Sequence, residues 1–417
     1  MLKILHFSDA HIDMANFGKL DVATGLPMRV MDFLKSLDEI IDTAINEKVD
    51  AVIFSGDAYK DRSPLPTHAR EWGRRIMRLS HAKIPTILLT GNHDSSPTVS
   101  RAHAIHEFST LEVPYIHVVD KPCVLTPDDL DGLPLQVIGL PWVFRSGRMA
   151  SLGVSAELDQ DVDIIEELEV GLTKFLRGSL DGMANPELPV ILAAHASIAG
   201  AVMGNERSIM LGKDLVLPGG LVKDKRLSYV ALGHIHKAQD LNEGLQPPVI
   251  YPGSIERVDF GEVRDEKFFV IAHIEKGKDT TVEWRQLKHI RPFIDLSVNL
   301  TSTQDVTQTL LQTLPNKAQM ADAIIRLVVN YPRELETMID EKTIRASTEG
   351  AFEFYLVKRP QFGSRVRLPN GRETSTMSSM ELLGEYWKAG HVVPNNQEQL
   401  NALAKKVIDT VEGGTPE

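Results

Sequence analysis

The chain has 417 residues, 42% of them apolar and 24% charged, with a net charge of −12. This length exceeds one ordinary core, so two or three domains are expected, and the composition is that of a globular protein. No apolar run approaches the roughly 18 residues that cross a bilayer, and the N-terminus enters a strand-like run without a signal-peptide pattern. A cytoplasmic location without a membrane partner is therefore expected. The single cysteine, Cys123, excludes an intramolecular disulfide and a cysteine-rich zinc site, and is expected to be a small buried hydrophobe. The acidic balance is a caution against nucleic-acid binding, which needs clustered Lys and Arg. A local basic patch or bound divalent metals can still reverse the sign at one face.

Residues 3–8 form a short apolar strand that ends at Asp9. Residues 30–48 carry apolar side chains at helical spacing (Val30, Phe33, Leu34, Leu37, Ile40, Ile41) and predict a helix. A second buried strand over 50–54 ends at Ser55-Gly56-Asp57, and a helix follows over 67–81. A third strand over 85–89 ends at Thr90-Gly91-Asn92-His93-Asp94. Further strands are predicted over 135–140, over 190–194 ending at His195, and over 229–232 ending at Gly233-His234-Ile235-His236. This alternation predicts an α/β layered domain.

Residues 245–274 read as strand-rich, and 282–287 as a closing edge strand. After a shift in composition near His289-Ile-Arg-Pro292, strands at 293–298, 323–329 and 352–358 alternate with helices at 303–314 and 332–339. This is a small α+β domain. Residues 363–376 read as loop, 378–388 and 396–411 as helices, and the tail after 412 as disordered.

Five apolar strands thus run out into residues that can bind metal, and in α/β sheets sites gather at the carboxyl ends of strands. The set is Asp9, His11, Asp57, Asn92, His195, His234 and His236. Mixed Asp, Asn and His donors suit manganese, iron or zinc. Seven donors are too many for one ion and about right for two. A carboxylate such as Asp57 can bridge the pair, and ions roughly 3.5–4 Å apart can activate a hydroxide for in-line phosphoryl displacement. Each piece alone is weak: a strand-end Asp often caps a turn, and Gly-Asn-His-Asp can be only a turn. Together and in this order they form a strong signal.

The set Asp9-x-His11, Gly56-Asp57, Gly91-Asn92-His93-Asp94, His195 and Gly233-His234-x-His236 resembles the five motifs of the calcineurin-like metallophosphoesterases. That resemblance implies a two-layered β-sandwich core flanked by helices. It implies one metal held by Asp9, His11, Asp57 and His236, and another by Asp57, Asn92, His195 and His234. It also implies that His93 is a catalytic group beside the metals, stabilising the transition state or protonating the leaving oxygen. Imidazole titrates near neutral pH, which suits that task. Asp94 would then orient His93, or cap a helix.

The segment Tyr251-Pro-Gly-Ser-Ile-Glu-Arg-Val-Asp-Phe-Gly-Glu262 resembles the one that follows the last metal motif in SbcD-type double-strand-break-repair nucleases. The resemblance implies a nuclease domain at 1–288, an α+β DNA-capping domain at 289–362, and a linker with C-terminal partner-binding helices at 363–417. It implies exonuclease action on duplex DNA ends, endonuclease action on single strands, dependence on Mn2+, an SbcC-like ATPase partner and a homodimer of nuclease subunits. Met380, Leu383 and Trp387 offer an apolar helix face for that partner, or for their own domain. Lys60, Arg62, Arg70, Arg74, Arg75, Arg78 and Lys83 are an electropositive exception in an acidic chain. They are candidates for phosphate contact, against a solvated or dimer-interface helix. Arg101 and His103 are further candidates for lining the groove. Some relatives carry a second active-site histidine three residues after the bridging aspartate. Here that position is Lys60, a point charge and a poor proton shuttle, and Ala238 stands where proline often follows the last motif. The alternatives are a small-molecule phosphodiesterase or phosphatase of the same superfamily, and a non-catalytic scaffold.

Overall fold

The computed structural model describes residues 1–95, 102–103, 105–142, 161–182, 185–204, 216–301, 305–361, 377–389 and 397–412. In chain order the first elements are β1 (Leu2–Phe7), α1 (Met28–Asn46), β2 (Ala51–Phe54), α2 (Pro66–His81), β3 (Thr86–Leu89), α3 (Glu107–Thr110), β4 (Ile116–Val119), β5 (Cys123–Leu125) and β6 (Gln136–Leu140). Next come α4 (Asp161–Asp181), β7 (Val190–His195), β8 (Ser197–Ile198), β9 (Val216–Leu217), α5 (Gly219–Val222), β10 (Tyr229–Gly233), β11 (Gln239–Asp240), β12 (Val249–Tyr251), β13 (Phe268–Ile274) and β14 (Thr281–Gln286). The last are β15 (Phe293–Asn299), α6 (Val306–Thr313), α7 (Lys317–Met320), β16 (Ile324–Pro332), α8 (Glu341–Ser347), β17 (Glu353–Gln361), α9 (Ser379–Ala389) and α10 (Gln397–Glu412).

Two six-stranded sheets are each built around four parallel strands. One runs β14-β13-β1-β2-β3-β4 and the other β11-β12-β10-β7-β6-β5. Strands β1 to β4 are mutually parallel, as are β6, β7, β10 and β12. In the first sheet antiparallel pairings add β13 and β14 beyond β1, and in the second β11 and β5 pair antiparallel at the two edges. The period of two along each strand sends alternate residues to opposite faces. Ile4, Ile53, Ile87 and Leu89 from one sheet meet Val137, Ile191, Ala231 and Ile250 from the other in the inter-sheet core. The outward residues Leu5, Phe7, Val52, Phe54 and Leu88 pack under α1 and α2, whose Phe33, Leu37, Ile40, Trp72 and Ile76 complete that layer. On the other side Leu192, Val230 and Leu232 pack under Leu168, Leu172, Leu176 and Leu180 of α4. Strands buried on both faces read as continuous apolar runs, which is why their sequence is so legible.

The predicted α/β fold with a two-layered sandwich flanked by helices is therefore present. Some segments differ from expectation. The sequence pattern predicts nothing over α4, where Gly171 and Gly178 interrupt a four-residue leucine spacing and weaken helix propensity. Strands β4 and β5, four and three residues long, are too short to show a period. The helix predicted at 332–339 is a 3-10 turn over Arg333–Met338, entered from Pro332, with α8 following separately. Cys123 is half-buried, and burial pushes its thiol up to about 11.

The described chain forms two compact units. The first comprises Met1–Leu296, Pro315–Arg326 and Thr348–Tyr355, and the second Ser297–Leu314, Leu327–Ser347 and Leu356–Glu417. In the first unit Arg29 and Asp32, nearly fully buried, pair at 2.9 Å, and Arg291 adds a second bond to Asp32 at 2.7 Å. In the second unit Leu310 and Ile344 are buried, and Trp387 donates to Asn401 between α9 and α10 at 3.0 Å. Among the described residues no helix is long and apolar enough to cross a membrane. The loop reading for 363–376 lies outside the described residues, as does the tail after Glu412.

Candidate metal centre and active site

The loops after β1, β2, β3, β7 and β10 converge at one edge of the sandwich. Their backbones are unusual. Asp9, His11, Asp57 and His234 have φ of 51°, 39°, 63° and 102°, a region that costs a non-glycine residue energy and persists only where the surroundings enforce it. The enforcement is a hydrogen-bonded zipper between the first two loops. Asp9 N donates to Gly56 O (2.9 Å), Ala10 N to Asp57 O (2.8 Å) and Ile12 N to Ala58 O (3.1 Å). Packing is equally tight: a Cβ on Gly91 would fall 2.0 Å from Asp57 Oδ1, and one on Gly56 2.3 Å from His195 Nδ1.

Two groups of donor atoms result. In the first, His11 Nε2 lies 3.1 Å from His236 Nε2 and 4.0 Å from Asp57 Oδ2, with Asp9 alongside. In the second, Asn92 Oδ1 lies 2.9 Å from both His195 Nε2 and His234 Nδ1, and His195 Nε2 is 3.4 Å from Asp57 Oδ2. Asp57 faces both groups, and all seven predicted donors are brought together.

The tautomers decide what these groups can hold. His195 Nδ1 lies 2.6 Å from Ser55 O, and His11 Nδ1 3.3 Å from Tyr59 O. A carbonyl can only accept, so both Nδ1 atoms carry the proton. Carboxylate Glu262, 2.7 Å from His236 Nδ1, imposes the same tautomer there. In their neutral forms the rings therefore aim lone pairs inward, at one another and at the oxygens of Asn92 and Asp57. A bound cation reconciles these converging acceptors, and neutral imidazole with carboxylate and amide oxygen is a donor set for divalent transition ions. The electrostatics agree. Burial opposes ionisation of Asp57, yet His195 and His93 hold its carboxylate well below the usual range. Burial disfavours a charged His195, but Asp57 outweighs it and raises the imidazole to about 9. Burial and His236 push His11 well below its ordinary value.

A family model described as calcineurin-like phosphoesterase matches residues 2–238, which contain every one of these donors. The chain belongs to that family. It is also similar to the SbcD subunit of nuclease SbcCD from Escherichia coli strain K12, at 25% identity over 99% of each chain. The protein of the same name from Rhodobacter capsulatus is 29% identical over 58% of this chain and 60% of that one. The DNA double-strand break repair protein Mre11 of Thermoplasma acidophilum is 24% identical over 97% and 93%. This phosphoesterase is accordingly a metal-dependent enzyme, with divalent ions as its cofactors.

The phosphoesterase places His93 at the open rim of the donors. Its backbone N–H donates to Asp57 Oδ1 (2.8 Å), its ring stands edge-on to His11 with centroids 5.2 Å apart, and its Nδ1 donates to Lys60 O (2.7 Å). A groove of about 450 Å³ beside it is lined by Lys60, Asp61, Arg62, Ser63 and His93.

Asp94 departs from the expectation that it orients His93. Its two oxygens accept from the backbone N–H groups of Asp57 (2.8 Å), Ala58 (2.9 Å), Tyr59 (3.3 Å) and Gly91 (3.0 Å). It staples two metal-binding loops together, and the ring of His93 takes the Lys60 carbonyl instead. Burial and Asp57 nonetheless raise Asp94 to about 6.

The basic segment is also more committed than its composition suggests. Arg75 bonds Asp38 of α1 at 2.8 Å, Arg78 bonds Asp38 and Asp42, and Arg70 and Arg74 share Glu71 at 2.9 and 3.0 Å. Asp38, Asp42 and Glu71 thus offset most of the positive charge, and the cluster joins α1 to α2. Lys83 is exposed beyond the end of α2. Arg101 lies outside the described residues, and His103 pairs with His106 and Asp120.

Two contributors escape a sequence reading. Glu262, buried, links His236 to Lys267 Nζ at 2.7 Å, and both coulombic partners hold its carboxylate far below the usual range against burial. Trp142, half-buried, lies with its ring centroid 4.7 Å from that of His234. Glu262 closes the Tyr251–Glu262 segment singled out above, a signal that something there is constrained. Trp142 follows a buried strand without any signal of its own.

Proposed function

We propose that this phosphoesterase is the DNA nuclease subunit of an SbcC-SbcD-like repair complex, acting as an exonuclease on duplex ends and an endonuclease on single strands. The complete donor set with His93 at its open rim carries the hydrolytic reading. The likeness over 99% of each chain to a protein named as part of a nuclease supports DNA as the substrate.

Asp9, His11, His236 and Asp57 would hold one ion, and Asp57, Asn92, His195 and His234 a second, most simply Mn2+. Bound there, the ions supply a water-derived nucleophile at neutral pH and positive charge against the phosphodiester. The protein's own groups do the rest. Lys60 O holds the Nδ1 proton of His93, so Nε2 is the atom that faces the leaving oxygen, and the imidazolium form, protonated at both nitrogens, delivers its Nε2 proton there and returns to the neutral ring. Lys60 and Arg62, along the same groove, meet flanking phosphates as point charge and fork. Asp94 keeps the loops of Asp57 and Gly91 at fixed separation, so the leaving-group acid and the donors stay in register.

In this reading residues 1–288 hold the chemistry, 289–362 cap the DNA, and 363–417 carry the helices that meet an SbcC-like ATPase. Leu400, Leu403 and Val407 of α10, 39%, 61% and 57% exposed, recur at helical spacing and suit a partner helix. The subunit pairs with a second copy through its N-terminal helices and works in the cytoplasm. The test is incubation of linear duplex DNA with manganese, with and without the ATPase, for the full chain and for a chain ending at 362. Shortening of duplex ends, with loss of ATPase association in the truncated chain, is expected. Intact DNA under all conditions with cleavage of small diesters would sink the nuclease reading in favour of a small-molecule phosphodiesterase.

A further inference from the structure

Among the described residues, three groups of His, Cys, Asp or Glu converge closely enough to hold a metal ion. Two are the groups already described. The third is His103, His106 and Asp120, whose donor atoms all lie within 4.8 Å of one another. His103 Nε2 is 3.2 Å from His106 Nδ1 and 3.5 Å from Asp120 Oδ2. Tetrahedral donors on bonds of about 2.0–2.1 Å sit about 3.3 Å apart, so both separations fit one ion. They also resemble the 2.9–3.4 Å spacing between donors in the second catalytic group.

The placement is built. His106 N donates to His103 O at 3.0 Å, a turn that puts both rings on one side with centroids 4.8 Å apart. Ile105 and Phe108, 0% and 3% exposed, anchor that turn in the core beneath α1 and α2. Asp120 directly follows β4, where Val119 pairs with Leu89 and its carbonyl accepts from Thr90 N at 3.1 Å. The His103 side chain is 9% exposed, and its Nδ1 is buried without a hydrogen-bond partner. No bond at that nitrogen fixes which tautomer faces the cluster.

We propose that His103, His106 and Asp120 bind one further divalent transition ion of the zinc or cobalt class. Two imidazoles and a carboxylate are a borderline donor set, and three protein donors leave a position for water. The ion ties the chain after the Gly91–Asp94 loop to the end of β4. The competing arrangement is an imidazole–imidazole hydrogen bond with an ion pair to Asp120.

The proposal does not depend on the substrate. The full chain is stripped with chelator, loaded with 113Cd, and examined by ion counting and 113Cd NMR. Wild type should hold one ion more than His106→Ala, and one resonance should vanish in His106→Ala yet persist in His236→Ala. Asp120→Ala, which removes the carboxylate donor from the end of β4, provides the same reading if His106→Ala does not fold. Equal ion counts and identical resonances in wild type and in the third-site variants would overturn the proposal and leave the hydrogen-bonded arrangement. Absence of DNA cleavage would change neither count.

Discussion

Glu262 accepts a 2.7 Å hydrogen bond from His236 Nδ1 and, through its other oxygen, a 2.7 Å ion pair from Lys267. The Lys267 side chain is 1% exposed, so a buried charge pair backs the ring while also holding Ser254 and the Val258 backbone. Such partners fix the ring and raise the basicity of its inward nitrogen. Glu262→Gln should lower metal affinity about 10–100-fold, the usual range for this kind of partner. Manganese titration of the stripped protein measures it. Unchanged affinity would mean that the pair only packs.

Asp94 should matter to stability before it matters to chemistry. Asp94→Asn turns an amide N–H2 toward backbone donors that now meet a carboxylate oxygen. An unsatisfied buried donor costs about 1–3 kcal/mol, so the melting temperature should fall even without metal. A stable variant with a selective loss of activity would instead restore Asp94 to a direct role at His93.

Metal loading should release protons. In the metal-free protein His195 is raised to about 9, so it is protonated near neutral pH. A cation taking the Nε2 lone pair displaces that proton. Affinity should therefore rise with pH until about 9 and level off above it. Calorimetry in buffers of different ionisation enthalpy reads the released proton, and an affinity that stays constant from neutral pH to about 9 contradicts the assignment.

The basic residues should separate into two kinds. Removing Lys60 or Arg62, along the groove of His93, should weaken DNA binding and flatten its salt dependence by about one unit of slope per lost phosphate contact. Removing Arg75 or Arg78, bonded to Asp38 of α1, should leave that slope unchanged and destabilise the α1–α2 packing. The reverse pattern would place DNA on the helix.

These predictions also mark where a sequence can be read and where it cannot. The strand ends at Asp9, Asp57, Asn92, His195 and His234 stand out because their strands are buried on both faces and end abruptly in polar residues. Helix α4 is hidden by Gly171 and Gly178. Partnership is harder to see than position. Asp94 meets Asp57, and Glu262 meets His236, across separations of 37 and 26 residues that only the fold closes. The arginines of α2 look like an open positive surface until α1 brings Asp38 and Asp42 against them.

The central claim is that this site hydrolyses DNA phosphodiesters with His93 acting beside the metal donors. The most direct measurement compares wild type with His93→Ala on linear duplex DNA in manganese, with metal content determined for both. A positioned general acid contributes about 10²–10⁴-fold. The prediction is a loss of cleavage in that range with metal content unchanged. Equal cleavage by the two proteins, or none by wild type with its metals in place, would contradict it.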